Sequence, residues 1–271
     1  MESRSFFIIG CGRSGTTAVA RILDTAENAT VFVENNPKLC IAARMKREGI
    51  LPYPEEFILK STARNIQAAN ERGLIYGDKN PNYVYFVKEL LMVYHCKFLF
   101  VVRDGRDVVT SCINFDRHRT PNYYRYEDDP NSDLTQPEED FWDFARLRPL
   151  RDDSIFNRWR SMGKFEKFCW YWANYNKLLI DATSIIPKEN WRVVNMTKDG
   201  VDQIEKIFEF LGLVPFLGET IDQMFKAKIN TSITIGKRRK DVFPEWGQWS
   251  DEQKDVFLSY CFDIMRHFDY V

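Results

Sequence analysis

The stretch FFIIGCGRSGTT, Phe6 to Thr17, decides the fold. Its unbroken apolar start, reaching back to Ser5, is what a parallel strand buried on both faces looks like; a half-exposed strand would alternate. Glycines at 10, 12 and 15 interrupt the run, and a helical pattern follows with Val19, Ile22, Leu23 and Ala26 on one side. Gly10, four residues, Gly15 and two further positions is the spacing of a phosphate-binding loop. Such a loop aims successive backbone N–H groups into a concavity at a helix N-terminus, and both features favour an oxyanion. Gly12 and Gly15 let the backbone approach closely, Thr16 and Thr17 add hydroxyl donors, and Arg13 brings a cation.

The loop departs from the nucleoside-triphosphatase pattern, which has Lys before Ser or Thr where this chain has Thr16 and Thr17. In phosphoryl transfer that lysine reaches the β- and γ-phosphates and the hydroxyl residue holds Mg²⁺. A magnesium-binding carboxylate is also hard to find: the strand KFLFVV, Lys97 to Val102, runs into Arg103, and LIYGD has three apolar residues before Gly77. A sulfuryl group on a single 5′-phosphate carries less charge than a triphosphate, so arginine and amide donors suffice for it without a metal.

Outward from the loop, strands and helices alternate. ATVFVE, ending at Glu34, and GLIYGD, ending at Asp78, read as the second and third strands. Pro81 opens a helix carrying Val84, Val87, Leu91 and Tyr94. Asp104 caps the helix after KFLFVV, with Asp107 in its first turn. A long helix is expected from Trp159 to about Ile185, a fifth strand at WRVVNM, and a helix over Val201, Ile204, Phe208 and Leu211 that Gly212 stops. Ser250 and Gln253 form a capping box for a last helix. The sum is an α/β fold: a doubly wound parallel sheet with helices on both faces, which binds ligands at the C-terminal strand ends. The pattern reads as one domain over 1–271. It carries an excursion at about 116–155, rich in Pro, Tyr and acidic residues, and a second loop at about 227–248 with the basic run GKRRK.

Composition narrows the function. Lys and Arg number 38 against 39 Asp and Glu, a net charge of −1, so no global field draws the chain to nucleic acid or to a membrane. No apolar run approaches the ~20 residues that span a bilayer, and the N-terminus does not read as a signal peptide. The six cysteines, at 11, 40, 96, 112, 169 and 261, lack metal-ligand or paired spacing. They read as reduced buried thiols of a cytoplasmic protein.

A second anion anchor is written at the end of KFLFVV. Arg103 emerges at the same sheet edge as the loop, and Ser111 lies eight residues on, about two turns into the next helix. Together these elements resemble the sulfotransferases that use 3′-phosphoadenosine 5′-phosphosulfate (PAPS), in the style of the bacterial and the carbohydrate- or tyrosine-protein-type members. GRSGTT is similar to their 5′-phosphosulfate loop and RDGRDVVTS to their 3′-phosphate element. YGDKNPNY resembles their acidic-Lys-Thr-Pro segment, and FEFLGL with the basic loop and GQWS their C-terminal region. The resemblance covers nearly the whole chain outside 116–155. Two departures stand out: WRVVNM lacks the aromatic-acidic YED of many relatives, and Pro81 stands where the phenol group has a catalytic His.

The resemblance implies a metal-independent transfer of a sulfuryl group from PAPS, leaving 3′-phosphoadenosine 5′-phosphate (PAP). Gly12, Arg13, Ser14, Gly15, Thr16 and Thr17 hold the 5′-phosphosulfate, Arg103 and Ser111 the 3′-phosphate, and Lys237, Arg238 and Arg239 close over it. Lys79 neutralises charge on the bridging oxygen. Glu34, expected beside the loop strand, is the first choice as general base, with His118 and then Asp78 as alternatives. The tyrosines and carboxylates of 116–155 suit a small polar or cationic acceptor with a hydroxyl or amine. A carbohydrate or tyrosine-protein acceptor, an ATP–Mg²⁺ metabolite or nucleoside kinase, and a non-catalytic nucleotide-binding module are the alternatives.

Overall fold

The computed structural model describes residues 4–36, 38–49, 55–118, 147–196, 201–215 and 242–271. Five strands, β1 (Ser5–Ile9), β2 (Ala29–Val33), β3 (Ile75–Lys79), β4 (Lys97–Val102) and β5 (Trp191–Asn195), form one sheet in the order β2-β3-β1-β4-β5. Every pairing is parallel, with Phe7 opposite both Asp78 and Phe98, and Val102 opposite Asn195. All five strands therefore end at the same edge. β1 sits in the middle, and the chain crosses from the β3 side to the β4 side around it, so the crevice outside β1 and β4 is the topological switch point.

The apolar runs of β1 and β4 are buried throughout. Their alternate residues feed two cores. Phe7, Ile9, Phe98 and Phe100 pack under α2 (Leu39–Arg47), α3 (Glu55–Glu71), α4 (Val87–Tyr94), α5 (Gly105–His118), α6 (Lys164–Ile185) and α8 (Asp251–His267). Phe6, Ile8, Leu99 and Val101 pack under α1 (Thr16–Leu23) and α7 (Val201–Leu211). Each such side chain contributes about 1.5–3 kcal/mol on burial, and losing the alternation would empty both cores at once. The parallel sheet covered on both faces is thus as expected.

Several elements differ in detail. Pro81 opens a 3₁₀ turn, Pro81–Phe86, capped by the Asn80 side chain, and α4 begins only at Val87. The long helix starts at Lys164 after a separate 3₁₀ turn, Phe156–Ser161. Helices α2 and α3 fill a stretch that the sequence reading left unassigned. The capping box at the start of α8 is present in full, with Ser250 Oγ accepting from Gln253 N and Gln253 Oε1 from Ser250 N. α7 stops at Gly212, whose φ of 70° is left-handed. β2 is not beside β1: β3 lies between them, and β2 is an edge strand. Residues 119–146 of the excursion and the basic run at 236–240 lie outside the described residues.

Candidate active site

The turn after β1 is built by packing constraints and by one left-handed pair. A Cβ at Gly10 would lie 2.5 Å from the Val101 carbonyl and 2.7 Å from Thr16 Cγ2, so only glycine lets β1 leave the sheet here. Gly15 caps α1 at φ 98°, and Arg13 takes φ 71°, a conformation that a side-chain-bearing residue adopts at a penalty of about 1–2 kcal/mol. The Ser14 N–H and hydroxyl both donate to Cys11 O, at 3.2 and 2.7 Å, and Ser14 is fully buried. Ser14, expected among the residues that hold the 5′-phosphosulfate, has its hydroxyl turned into the loop, which it shapes from inside. Gly12 N donates to the Tyr171 hydroxyl on α6 at 2.8 Å. Gly15, Thr16 and Thr17 stand at the opening of α1, where the first backbone N–H groups have no partner within the helix. Thr16 is buried and Thr17 half-buried.

The second anchor meets the first. Arg13 Nε donates to Ser111 Oγ at 3.1 Å, and the Arg13 guanidinium lies 4.5 Å from the Phe115 ring centre, one turn further along α5. Arg103 reaches Arg13 O from Nη1 at 3.5 Å and pairs with Asp107 at 3.2 Å. Its own carbonyl accepts from Trp172 Nε1 on α6, and a Cβ at Gly105 would strike the Trp172 ring at 2.9 Å. α6 thus buttresses both turns, through Tyr171 at the loop and Trp172 at the anchor. Asp104 caps α5, accepting from Arg106 N at 2.9 Å, and binds the Arg106 guanidinium, which also donates to Tyr270 O.

The remaining candidates gather where β2 and β3 end. Lys79 Nζ lies 2.5 Å from Glu34 Oε1, and Glu34 N donates to Lys79 O at 2.8 Å. Glu34 is left-handed, φ 57°. Lys79 faces β1 across the register pair with Ile8, so Glu34 reaches the centre through Lys79 and not from a strand next to the loop. Asp78, one residue earlier, points to the opposite face of the strand and is fully buried. Tyr83 donates to its Oδ2 at 2.6 Å and Asn35 N to its Oδ1 at 3.5 Å. Burial pushes the Asp78 carboxyl up to about 6, against the Tyr83 and Asn35 bonds and the nearby Lys79 cation that favour its charged form. Burial likewise raises the Cys11 thiol behind the loop, making it an inert packing group. His118 is the last residue of α5; its side chain, and Lys237, Arg238 and Arg239, lie outside the described residues.

The structure therefore brings Gly12, Arg13, Gly15, Thr16, Thr17, Lys79, Glu34, Arg103 and Ser111 to one sheet edge. Tyr171 was not singled out by sequence; at helix spacing among Trp170, Trp172 and Tyr175 it reads as core, and nothing local marks it as the acceptor for Gly12. Tyr83 was equally silent. Chemically, the arrangement offers a backbone cradle, two arginines and a hydroxyl for anions, and a lysine–carboxylate pair beside them.

The model of the sulfotransferase family, "Sulfotransfer_3", matches residues 5–157, a span that holds β1 to β4 and both anchors. No curated protein matches the sequence. Among solved structures the chain is similar to the sulfotransferase domain from the curacin biosynthetic pathway, at 13% identity over 96% of this chain and 98% of that one, TM-score 0.44. It is also similar to mouse sulfotransferase SULT7A1 complexed with PAP, at 16% identity over 98% and 86%, TM-score 0.46. A third is the sulfotransferase from Alicyclobacillus acidocaldarius, at 16% identity over 83% and 88%, TM-score 0.43.

Proposed function

The chain belongs to the sulfotransferase family, and from that premise we propose that its donor is PAPS and its acceptor a small molecule with a hydroxyl or amine. One observation carries the reading: the phosphate-loop arginine and the second-anchor serine are joined, Arg13 Nε to Ser111 Oγ at 3.1 Å, so two anion sites share one wall of the crevice. A donor with a 5′-phosphosulfate and a separate 3′-phosphate fits two such sites; a triphosphate fits one.

In this reading the N–H groups at the start of α1 and the Thr16 and Thr17 hydroxyls hold the phosphosulfate. Arg103 and Ser111 take the 3′-phosphate, Arg103 exchanging part of its Asp107 pairing for it. The basic residues Lys237, Arg238 and Arg239 close over the donor. Glu34 takes the acceptor proton as the acceptor oxygen or nitrogen bonds to sulfur. The bond from sulfur to the bridging oxygen breaks in line, and its electron pair stays on PAP. Lys79 and Arg13 neutralise the charge that grows there. The segment at 116–155 roofs the acceptor side.

The donor reading is tested by ligand-induced stabilisation, since a ligand at 100 times its dissociation constant adds about 2.7 kcal/mol. PAP is expected to raise the melting temperature at concentrations where adenosine 5′-phosphate does little. Equal stabilisation by the two nucleotides would sink the 3′-phosphate site. Stabilisation by ATP–Mg²⁺ alone would favour the kinase reading.

A further inference from the structure

Asp78 is a buried carboxylate one residue from Lys79, and the transfer steps above leave it without a task. Its surroundings are specific. It is fully buried, its Oδ2 accepts the Tyr83 O–H at 2.6 Å, and Tyr83 is itself buried. Its Oδ1 faces the N–H of Asn35 at 3.5 Å. The chain leaving β2 is thus held on β3 by two successive N–H groups, Glu34 on the Lys79 carbonyl at 2.8 Å and Asn35 on the Asp78 side chain. Between these two fastenings Glu34 adopts its left-handed φ of 57°. A non-glycine residue keeps that conformation only where its surroundings over-determine it, and here the conformation accompanies the contact of Glu34 Oε1 with Lys79 Nζ.

We propose that Asp78 is a positioning residue: anchored by Tyr83, its carboxylate pins the turn after β2 and so holds Glu34 against Lys79 in the geometry needed to receive the acceptor proton. The proposal rests on Glu34 being the base. It gives a task to a buried carboxyl group that the transfer steps do not use. The groups facing it support this assignment. Tyr83 and Tyr76 stand on its own face and donate or lie neutral, Asn35 comes from the turn it holds, and Lys79 and Glu34 lie beyond the strand. Asp78 is fully buried and points to the face of β3 opposite Lys79, away from the crevice, which separates a positioning role from that of an alternative base.

The test is a double-mutant cycle read as PAP released from PAPS, with tyramine as the probe acceptor because it offers a phenol, an amine and an aromatic ring. Asp78→Ala is expected to lower kcat by about tenfold or more while KM for PAPS stays within about threefold. In a Glu34→Gln background the same substitution is expected to change kcat by less than about threefold, because residues acting through one group are not additive. Asp78→Asn keeps an oxygen for Asn35 N–H and should recover most of the loss. Equal losses in both backgrounds would overturn the positioning role while leaving Glu34 as base. A Glu34→Gln variant as fast as wild type would overturn the base assignment and the positioning role with it. Should Asp78→Ala not fold, Tyr83→Phe, which frees Asp78 from its anchor at nearly constant volume, runs the same cycle. A loss at Tyr83 confined to the Glu34 background supports the proposal, and a loss equal in both backgrounds contradicts it.

Discussion

Arg13 and Ser111 are 98 residues apart in sequence and hydrogen-bonded at 3.1 Å. One comes from a left-handed loop after β1, the other from the second turns of α5 after β4. The bond fastens the turn after β1 to α5, the two elements proposed to hold the donor's anions.

Arg103→Ala should weaken PAP binding by about tenfold or more, since a charge-assisted hydrogen bond contributes about 1.5–3 kcal/mol. Binding of adenosine 5′-phosphate, which has no 3′-phosphate, should hardly change. Titration calorimetry with both nucleotides checks this; parallel losses would mean that Arg103 supports the loop through Arg13 O instead.

Gly10→Ala should be severe. A Cβ there meets a backbone carbonyl at 2.5 Å, and a sheet cannot yield as a flexible side chain can. A loss of about 2 kcal/mol or more in denaturant unfolding is expected, a size typical of overpacking in a well-packed region. Unchanged stability would contradict the packing account of the turn.

The strands and the phosphate loop were legible because their causes are local. β1 and β4 are buried on both faces, so their residues are apolar without interruption, and the Ser250–Gln253 box needs only two residues at the right spacing. α2 and α3 were not legible; among the described side chains of α3 the buried ones, Thr62, Ile66 and Ala69, stand among polar residues, and tertiary packing supplies what local pattern does not. Strand order was misread at β2, because chain order does not fix which strands pair. Lys79 could have been expected to pair with its neighbour Asp78, but strand alternation sends the two side chains to opposite faces, and Glu34 takes the lysine instead. The Gly12–Tyr171 contact joins residues 159 apart and leaves no trace in either local sequence.

That contact gives a third prediction. Tyr171→Phe removes the acceptor of Gly12 N–H without altering the packing volume. A lost hydrogen bond at a part-buried N–H costs about 0.5–1.5 kcal/mol, so the turn should loosen and PAP affinity fall a few-fold while the fold, by far-ultraviolet circular dichroism, is kept. Wild-type affinity for PAP would show that Tyr171 has no part in shaping the cradle.

Asp78 gives a pH-dependent one. Its carboxyl is pushed up to about 6 from the ordinary 3.8 by burial, so the folded state holds a proton that the unfolded chain releases earlier. Its stabilising contribution is present below about pH 4 and is lost as pH rises through 6. Asp78→Asn, which cannot ionise, should therefore gain stability over wild type between pH 4 and 7, by about 2–3 kcal/mol at most. Thermal melts at the two ends of that range check it; a difference independent of pH would contradict the raised carboxyl.

The general base is decided by rate against affinity. Glu34→Gln keeps shape and polarity but cannot accept the acceptor proton; kcat should fall by about 10²–10⁴ with PAPS affinity within about threefold. His118→Asn, measured alongside, should leave kcat near wild type. The reverse pattern would move the base to His118.

The central claim is a sulfuryl transfer from PAPS, and the most direct measurement is label transfer. The purified chain is incubated with ³⁵S-labelled PAPS and a panel of small hydroxyl and amine acceptors in the presence of EDTA, with γ-³²P-ATP and Mg²⁺ in a parallel arm. The account predicts an ³⁵S-labelled product with one PAP formed per transfer, undiminished by EDTA, and no ³²P-labelled product. Transfer of ³²P from ATP that requires Mg²⁺, with no ³⁵S transferred from PAPS, would contradict it.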